Sequence, residues 1–313
     1  MTLLETIELY LETKGNLKPS SLREYHHLLN SIRDDSIMSK NIRTLKTSAI
    51  KLWTVQKGKE GKAVSTINSY LTGLIKPALE MAVEDELIKR NPASFKLNNV
   101  VNKESDKGRA LTSSELAIFL EYLKRDCPIC NRNRNLMLII LGLGLRAAET
   151  AALTVNDIDL INNEVHISKQ LIQYKNEYSF QSTKSESGDR YIPITDDLRP
   201  VIEEAILNAN YDYMLDGKTG FLFSNRSGKP ISRNAIGKRY WYLVREIDKE
   251  YGTKLFETSV HSLRHTFCSN LVLSGIGVKT IQYVMGHKNA SVTLDIYSHI
   301  SHDQIHKEFK SLK

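Results

Sequence analysis

The chain has 313 residues, 41% hydrophobic and 25% charged, with a net charge of +7 and three cysteines. At roughly 100–200 residues per domain this supports two domains with proper cores, or three, and excludes a disordered chain. The longest apolar run, Leu136–Leu145, is too short to cross a bilayer, an odd trio of cysteines makes no disulfide framework, and Glu5, Glu8 and Glu12 stand where a signal peptide would be basic, so a cytoplasmic protein without a membrane segment is expected.

The amino-terminal part reads as helices. Leu3–Thr13 repeats apolar residues at helical spacing, and Pro19-Ser20-Ser21 opens a second helix with Leu22, Tyr25, Leu28, Leu29 and Ile32 on one face. Ala49–Gln56 makes a third. Val64–Ile88 makes a long fourth, striped by Ile67, Tyr70, Leu71, Leu74, Ala78 and Met81, which Pro77 should kink or split. Residues 1–97 are therefore predicted to form a small helical bundle. The polar, aperiodic stretch that follows predicts a linker over 98–110.

A second domain is expected over 111–313. Thr112-Ser113-Ser114-Glu115 has the spacing of a capping box, with a helix running to about Arg125. Cys127 and Cys130 read as two loop thiols, since no second pair completes a zinc site and no strand-then-helix context supports a redox dithiol. Arg134–Leu143 reads as a buried helix. Glu164–Leu171, Tyr178–Thr183 and Arg190–Ile194 are β-like, with Lys184 to Gly188 as the turn between the last two, and the chain is mostly helical from Asp196 onward. The fold class is mainly α with a small antiparallel β-sheet, an α+β arrangement. Ile305, Phe309 and Leu312 form a short apolar stripe on a tail helix over about 300–313.

The basic residues cluster. Lys40–Lys62 holds seven, including Arg43, Lys46, Lys51 and Lys57, with a single acid, Glu60; Arg226–Arg245 holds six, including Arg233, Lys238 and Arg239, with none. Two acid-poor stretches far apart in sequence fit two surfaces facing one polyanion.

Polar residues then stand where apolar ones are expected. Arg146 emerges from an apolar helix, with Glu149 three residues on as its partner. His261 and Arg264 share a helical face with His265 nearby, and no carboxylate or thiolate completes a metal site there. Gly286-His287 follows a helix, and Tyr297 comes ten residues later.

Taken together, Arg146 with Glu149, Lys184, His261-x-x-Arg264, Gly286-His287 and Tyr297, in that order and spacing, resemble the tyrosine recombinases, the family of phage integrases and the Cre and Xer recombinases. The resemblance covers about residues 110–300, and the preceding bundle resembles that family's core-binding, DNA-contacting domain. It implies a C-shaped clamp closing on double-stranded DNA, and strand cleavage through a 3′-phosphotyrosyl link on Tyr297. Arg146 and Arg264 would hold the phosphate, His261 and His287 would assist proton transfer and position the phosphate, Lys184 would protonate the leaving oxygen, and Glu149 would orient Arg146 or a neighbour. It implies no cofactor and no metal. As partners it implies attachment or core sites in duplex DNA, a homo-oligomer on DNA, a tetramer joined by tail exchange, and accessory bending or directionality proteins. Arg43, Lys46, Lys51, Arg233, Lys238 and Arg239 would contact nucleic acid. The bundle begins almost at Met1, leaving no room for the arm-binding domain that many members carry, so a simpler recombinase and a shortened integrase both remain open. The integrase of a phage or other mobile element is the leading expectation; a Xer-like resolvase of replicon dimers and a DNA-binding protein that no longer cuts are the alternatives.

Overall fold

Thr2 starts the first helix by the reciprocal device its sequence suggests: its hydroxyl accepts from the Glu5 N–H, and the Glu5 carboxylate accepts from the Thr2 N–H. The helix, α1 (Leu3–Glu12), is followed by α2 (Pro19–Asn30), α3 (Thr47–Lys59), α4 (Val64–Tyr70) and α5 (Lys76–Glu84). The computed structural model describes residues 1–15, 19–97, 108–174, 177–182 and 188–289. It separates into two units, Met1–Lys107 and Gly108–Lys313.

In the first unit Leu3, Ile7, Ile50, Ile67, Leu74 and Leu79 are wholly buried in one core. Pro77 neither breaks the long helix nor sharply interrupts it. One π-turn, Leu71–Ile75, joins α4 to α5, and the Lys76 N–H reaches five residues back to the Leu71 carbonyl. Proline offers no N–H and its ring crowds the carbonyl four residues earlier, so a wider turn just ahead of it relieves both problems. Lys57 leaves the predicted basic face. Its ammonium lies 2.8 Å from both the Asp35 and the Glu60 carboxylates, while the Trp53 indole donates to the other Asp35 oxygen. Arg43, Lys46 and Lys51 are exposed.

The second unit begins inside the predicted linker. Arg109 makes a forked pair with Glu115 at 2.6 and 2.7 Å, and the Leu111 N–H donates to the Thr266 hydroxyl at 2.9 Å. The capping box on Thr112 and Glu115 opens α6 (Ser113–Leu123). Next comes α7 (Pro128–Leu143), which starts six residues before the expected Arg134 because Cys127 caps it and Pro128 occupies its first turn. Cys127 and Cys130 are not two free thiols. Their spacing across that first turn puts the Cα atoms 5.2 Å apart, and they form a disulfide.

The remainder is α8 (Ala147–Ala152), β1 (Ile158–Asp159), β2 (Glu164–Ile167), β3 (Lys169–Tyr174), β4 (Glu177–Ser182), β5 (Arg190–Pro193), α9 (Arg199–Leu207), α10 (Arg233–Tyr251), α11 (Val260–Leu273) and α12 (Val278–Met285). The strands make two small antiparallel sheets, β1-β2-β5 and β3-β4. The single strand expected over Glu164–Leu171 changes partners at Ser168, so its halves lie in different sheets. β4 and β5 likewise lie in different sheets and do not pair as a hairpin across the segment between them. Lys184 on that segment, Tyr297 and the predicted tail helix lie outside the described residues. Around α7 and α10, Phe119, Met137, Ile140, Ile236, Leu243 and Leu263 pack as one core. No helix among the described residues is long and apolar enough to cross a membrane.

Candidate active site

Of the helices of the second unit that end on glycines in the left-handed conformation, two converge, α7 on Gly144 (φ 62°) and α12 on Gly286 (φ 60°). At Gly144 a Cβ would come within 2.2 Å of the Phe267 ring. Such an end leaves carbonyls of the last helical turn without donors from their own helix. Here arginines supply them. The Val284 carbonyl accepts from Arg190 Nε at 2.6 Å, the Met285 carbonyl from Arg264, and the Gly286 carbonyl from Arg146 Nη2 at 3.1 Å. Arg264 donates a second bond, at 2.6 Å, to the Gly144 carbonyl.

Beneath these guanidiniums lies Glu149. It accepts from the Arg146 backbone N–H at 2.9 Å, from Arg146 Nη1 at 2.7 Å and from Arg190 Nη2 at 3.0 Å, and an Arg264 nitrogen is 3.9 Å away. The side chains of Glu149, Arg190 and Arg264 are 3%, 0% and 2% exposed, whereas that of Arg146 is 38% exposed. Burial disfavours a charged Glu149, but the three guanidiniums, Arg190 foremost, outweigh it and hold the carboxyl down at about 2. Burial, and then the neighbouring Arg146, press Arg264 down to about 9, where it still carries its charge at neutral pH. Three cations share one carboxylate, and the surplus positive charge calls for an anion.

The opening for it is a cavity of about 1160 Å³ lined by Arg146, Glu149, Arg233, Lys238, Trp241 and Tyr242 together with His261 and Gly286. His261 stands at its rim, its ring 4.7 Å from that of His265. His287 follows Gly286 directly. Burial lowers both His261 and His287 to about 4; nearby charge adds to this, from His265, Arg264 and Arg146 for the first and from Arg264, Arg146 and Arg190 for the second. Both imidazoles are therefore neutral at neutral pH, the form that can take up a proton.

Of the residues singled out in the sequence, the fold brings together Arg146, Glu149, His261, Arg264 and His287, with Arg233 and Lys238 facing the same cavity. Arg239 does not join them: it points off another side of α10, half-buried, and donates to the Ser224 carbonyl at 3.2 Å. Sequence reasoning missed Arg190, although it shares the inward face of β5 with Ile192, where an arginine needs an explanation. It also missed Trp241 and Tyr242, two exposed aromatics on the cavity face of α10.

The model of the phage integrase family matches residues 109–304. The transposase from transposon Tn916 of Enterococcus faecalis is 31% identical over 289 residues, covering 91% of this chain and 71% of that one. The tyrosine recombinase XerC of Halalkalibacterium halodurans is 26% identical over 311 residues, covering 97% and 94%. Among solved structures, the integrase of transposon Tn1549 in complex with a circular intermediate DNA superimposes with a TM-score of 0.92 at 28% identity, over 100% of both chains. A lambda integrase dimer on a core site shares the fold at a TM-score of 0.68 and 18% identity.

Proposed function

The chain belongs to the phage integrase family, the tyrosine recombinases that break and rejoin DNA, and on that premise we propose how it handles double-stranded DNA as the integrase of a mobile element. The observation that carries the reading is the arginine trio on one buried carboxylate, opening into a cavity beside neutral histidines. A scissile phosphodiester supplies the missing anion, and Arg146 and Arg264 offer their remaining N–H groups to its non-bridging oxygens. As the Tyr297 phenol attacks phosphorus, its proton passes to His261, with His287 holding the phosphate. The P–O5′ bond breaks, Lys184 protonates the leaving 5′-oxygen, and the 3′-phosphate stays on Tyr297. A second 5′-hydroxyl reverses the step on another strand, so the bond energy is retained.

The exposed Arg43, Lys46 and Lys51 of the first unit and Arg233 and Lys238 of the second suit backbone phosphates, which position without specifying sequence. The protomers assemble on DNA as a tetramer through exchange of their carboxy-terminal tails, with accessory bending or directionality proteins as partners. With DNA as substrate, the working compartment is the cytoplasm. Resolution of replicon dimers is a second reading, favoured by the 26% identity of this chain to a XerC recombinase over 311 residues.

The test is trapping on a nicked duplex carrying the element's ends, followed by peptide mapping of the adduct. A covalent band that maps to Tyr297 supports the reading. Salt-sensitive binding with no band on any such duplex would instead make the chain a DNA-binding protein that does not cut.

The same site sets a pH dependence. A bound phosphodiester favours protonated His261 and His287, whose free values lie near 4. Binding therefore takes up protons, and duplex affinity is expected to rise as pH falls from 7.5 to 5.5. Titrations at the two pH values, repeated with His261→Ala and His287→Ala, check this. A wild-type affinity that is flat across the window would mean that neither imidazole faces the anion.

A further inference from the structure

A second concentration of unpaired positive charge lies away from the reaction cavity. A notch of about 390 Å³ is lined by Arg132 on α7, by Ser224 and, in the turn that follows it, Arg226, and by Arg239 on α10, with Asn135 and Glu204 at its sides. None of the three arginines is paired with a carboxylate among the described residues, and the one hydrogen bond of Arg239 there is to the Ser224 carbonyl. The Ser224 hydroxyl and the Asn135 side-chain Oδ1 are buried with no partner among the described residues. Burial, and then the adjacent Arg132, lower Arg239 to about 10, so the cations crowd one another. Glu204 brings one negative charge against three positive ones.

We propose that this notch is a second phosphate-binding site, separate from the reaction cavity, that grips a backbone phosphodiester of the bound duplex. The inference rests on the recombinase reading for the source of the phosphate. Guanidinium forks match phosphate oxygens, and the orphaned Ser224 hydroxyl supplies a further donor. The source follows from α10. Trp241 faces the reaction cavity and Arg239, two residues earlier, lines the notch, so one helix presents both sites on opposite sides. A helix is about 10–12 Å across, and duplex phosphates advance about 3.4 Å per step along each strand. The gripped linkage therefore lies at least about three nucleotides from the scissile one.

The test replaces each backbone linkage in turn with an uncharged methylphosphonate and measures binding of wild type, Arg239→Met and Arg132→Ala. One linkage outside the cleavage point should weaken wild-type binding about tenfold, as expected for a charge-assisted contact. The same replacement should leave Arg239→Met indifferent, and that variant should show a salt slope shallower by about one. Arg132 is exposed, so Arg132→Ala gives the answer if Arg239→Met fails to fold. A scan in which no linkage distinguishes the variants from wild type overturns the proposal. Inorganic phosphate that raises the thermal midpoint of wild type but not of Arg239→Met, with a flat scan, would make this a free-anion site and also overturns it. Wild type that shows the linkage effect but forms no covalent adduct would defeat the recombinase reading and leave the notch standing.

Discussion

Tyr297→Phe is expected to abolish the covalent protein–DNA adduct, lowering its rate of formation by at least about 10⁴-fold, because loss of a nucleophile closes the covalent path altogether. Duplex affinity should stay within about threefold, since the change deletes a single oxygen and leaves Arg146, Arg264, Arg233 and Lys238 in place. The comparison that gives this experiment its force is Tyr242. Among the described residues it is the tyrosine that lines the reaction cavity, and it is 60% exposed. Tyr242→Phe should still form the adduct, with at most about a tenfold loss from altered packing against DNA. Single-turnover trapping on a nicked duplex measures both variants. An adduct that survives in Tyr297→Phe and vanishes in Tyr242→Phe would move the nucleophile onto α10.

Arg190→Met is expected to destabilise the second unit by about 3–5 kcal/mol, the usual cost of removing one partner from a buried ion pair. Methionine fills similar space but donates nothing, so the Val284 and Gly188 carbonyls and one side of Glu149 lose their donor together. Arg190→Lys keeps the charge without the fork and should recover only part of the loss. The acid limb of stability should change as well. Glu149 is held at about 2 against an ordinary 4.5, so it contributes stability that is present above about 4.5 and lost as pH falls toward 2. Arg190 is the strongest of the charges holding it there, and without it that acid-sensitive window should narrow. Denaturant unfolding at pH 7 and pH 3 measures both effects. Equal stabilities for wild type and Arg190→Met at pH 7 would mean that the Glu149 cluster is held by Arg146 and Arg264 alone.

Much of this was legible in the sequence where local rules decide the outcome. The capping box at Thr112 and Glu115, the helical stripe from Ile67 to Met81 and the Arg146–Glu149 pair follow from spacing alone, and the structure contains each of them. What sequence could not supply were choices made by distant partners. The start of α7 is hidden because Asn131 to Asn135 is a polar run, and only packing against the core reveals its buried side. The change of sheet at Ser168 depends on where β4 and β5 lie, not on the strand itself. Lys57 reads as a surface cation until Asp35, 22 residues earlier, is folded beside it. Arg190 reads as the polar start of a strand until the end of α12, 94 residues later, offers it a carbonyl.

The three arginines on the end of α12 also bear on when the enzyme becomes active during its own synthesis. Arg190 reaches across 94 residues to Val284 and Arg146 across 140 to Gly286, while Arg264 is tied both to Gly144, 120 residues before it, and to Met285. Contacts of such long sequence separation form late, after the loops they close have been brought together. Because synthesis runs from the amino terminus and domains fold as units, a growing chain lacks the carbonyls that orient all three guanidiniums until α12 has left the ribosome. The first unit, which has its own core, can fold before then, but the three arginines cannot take the positions they hold in the finished structure. A chain that ends before Val284 leaves all three guanidiniums without these carbonyls, and limited proteolysis should degrade its second unit faster than that of the full chain.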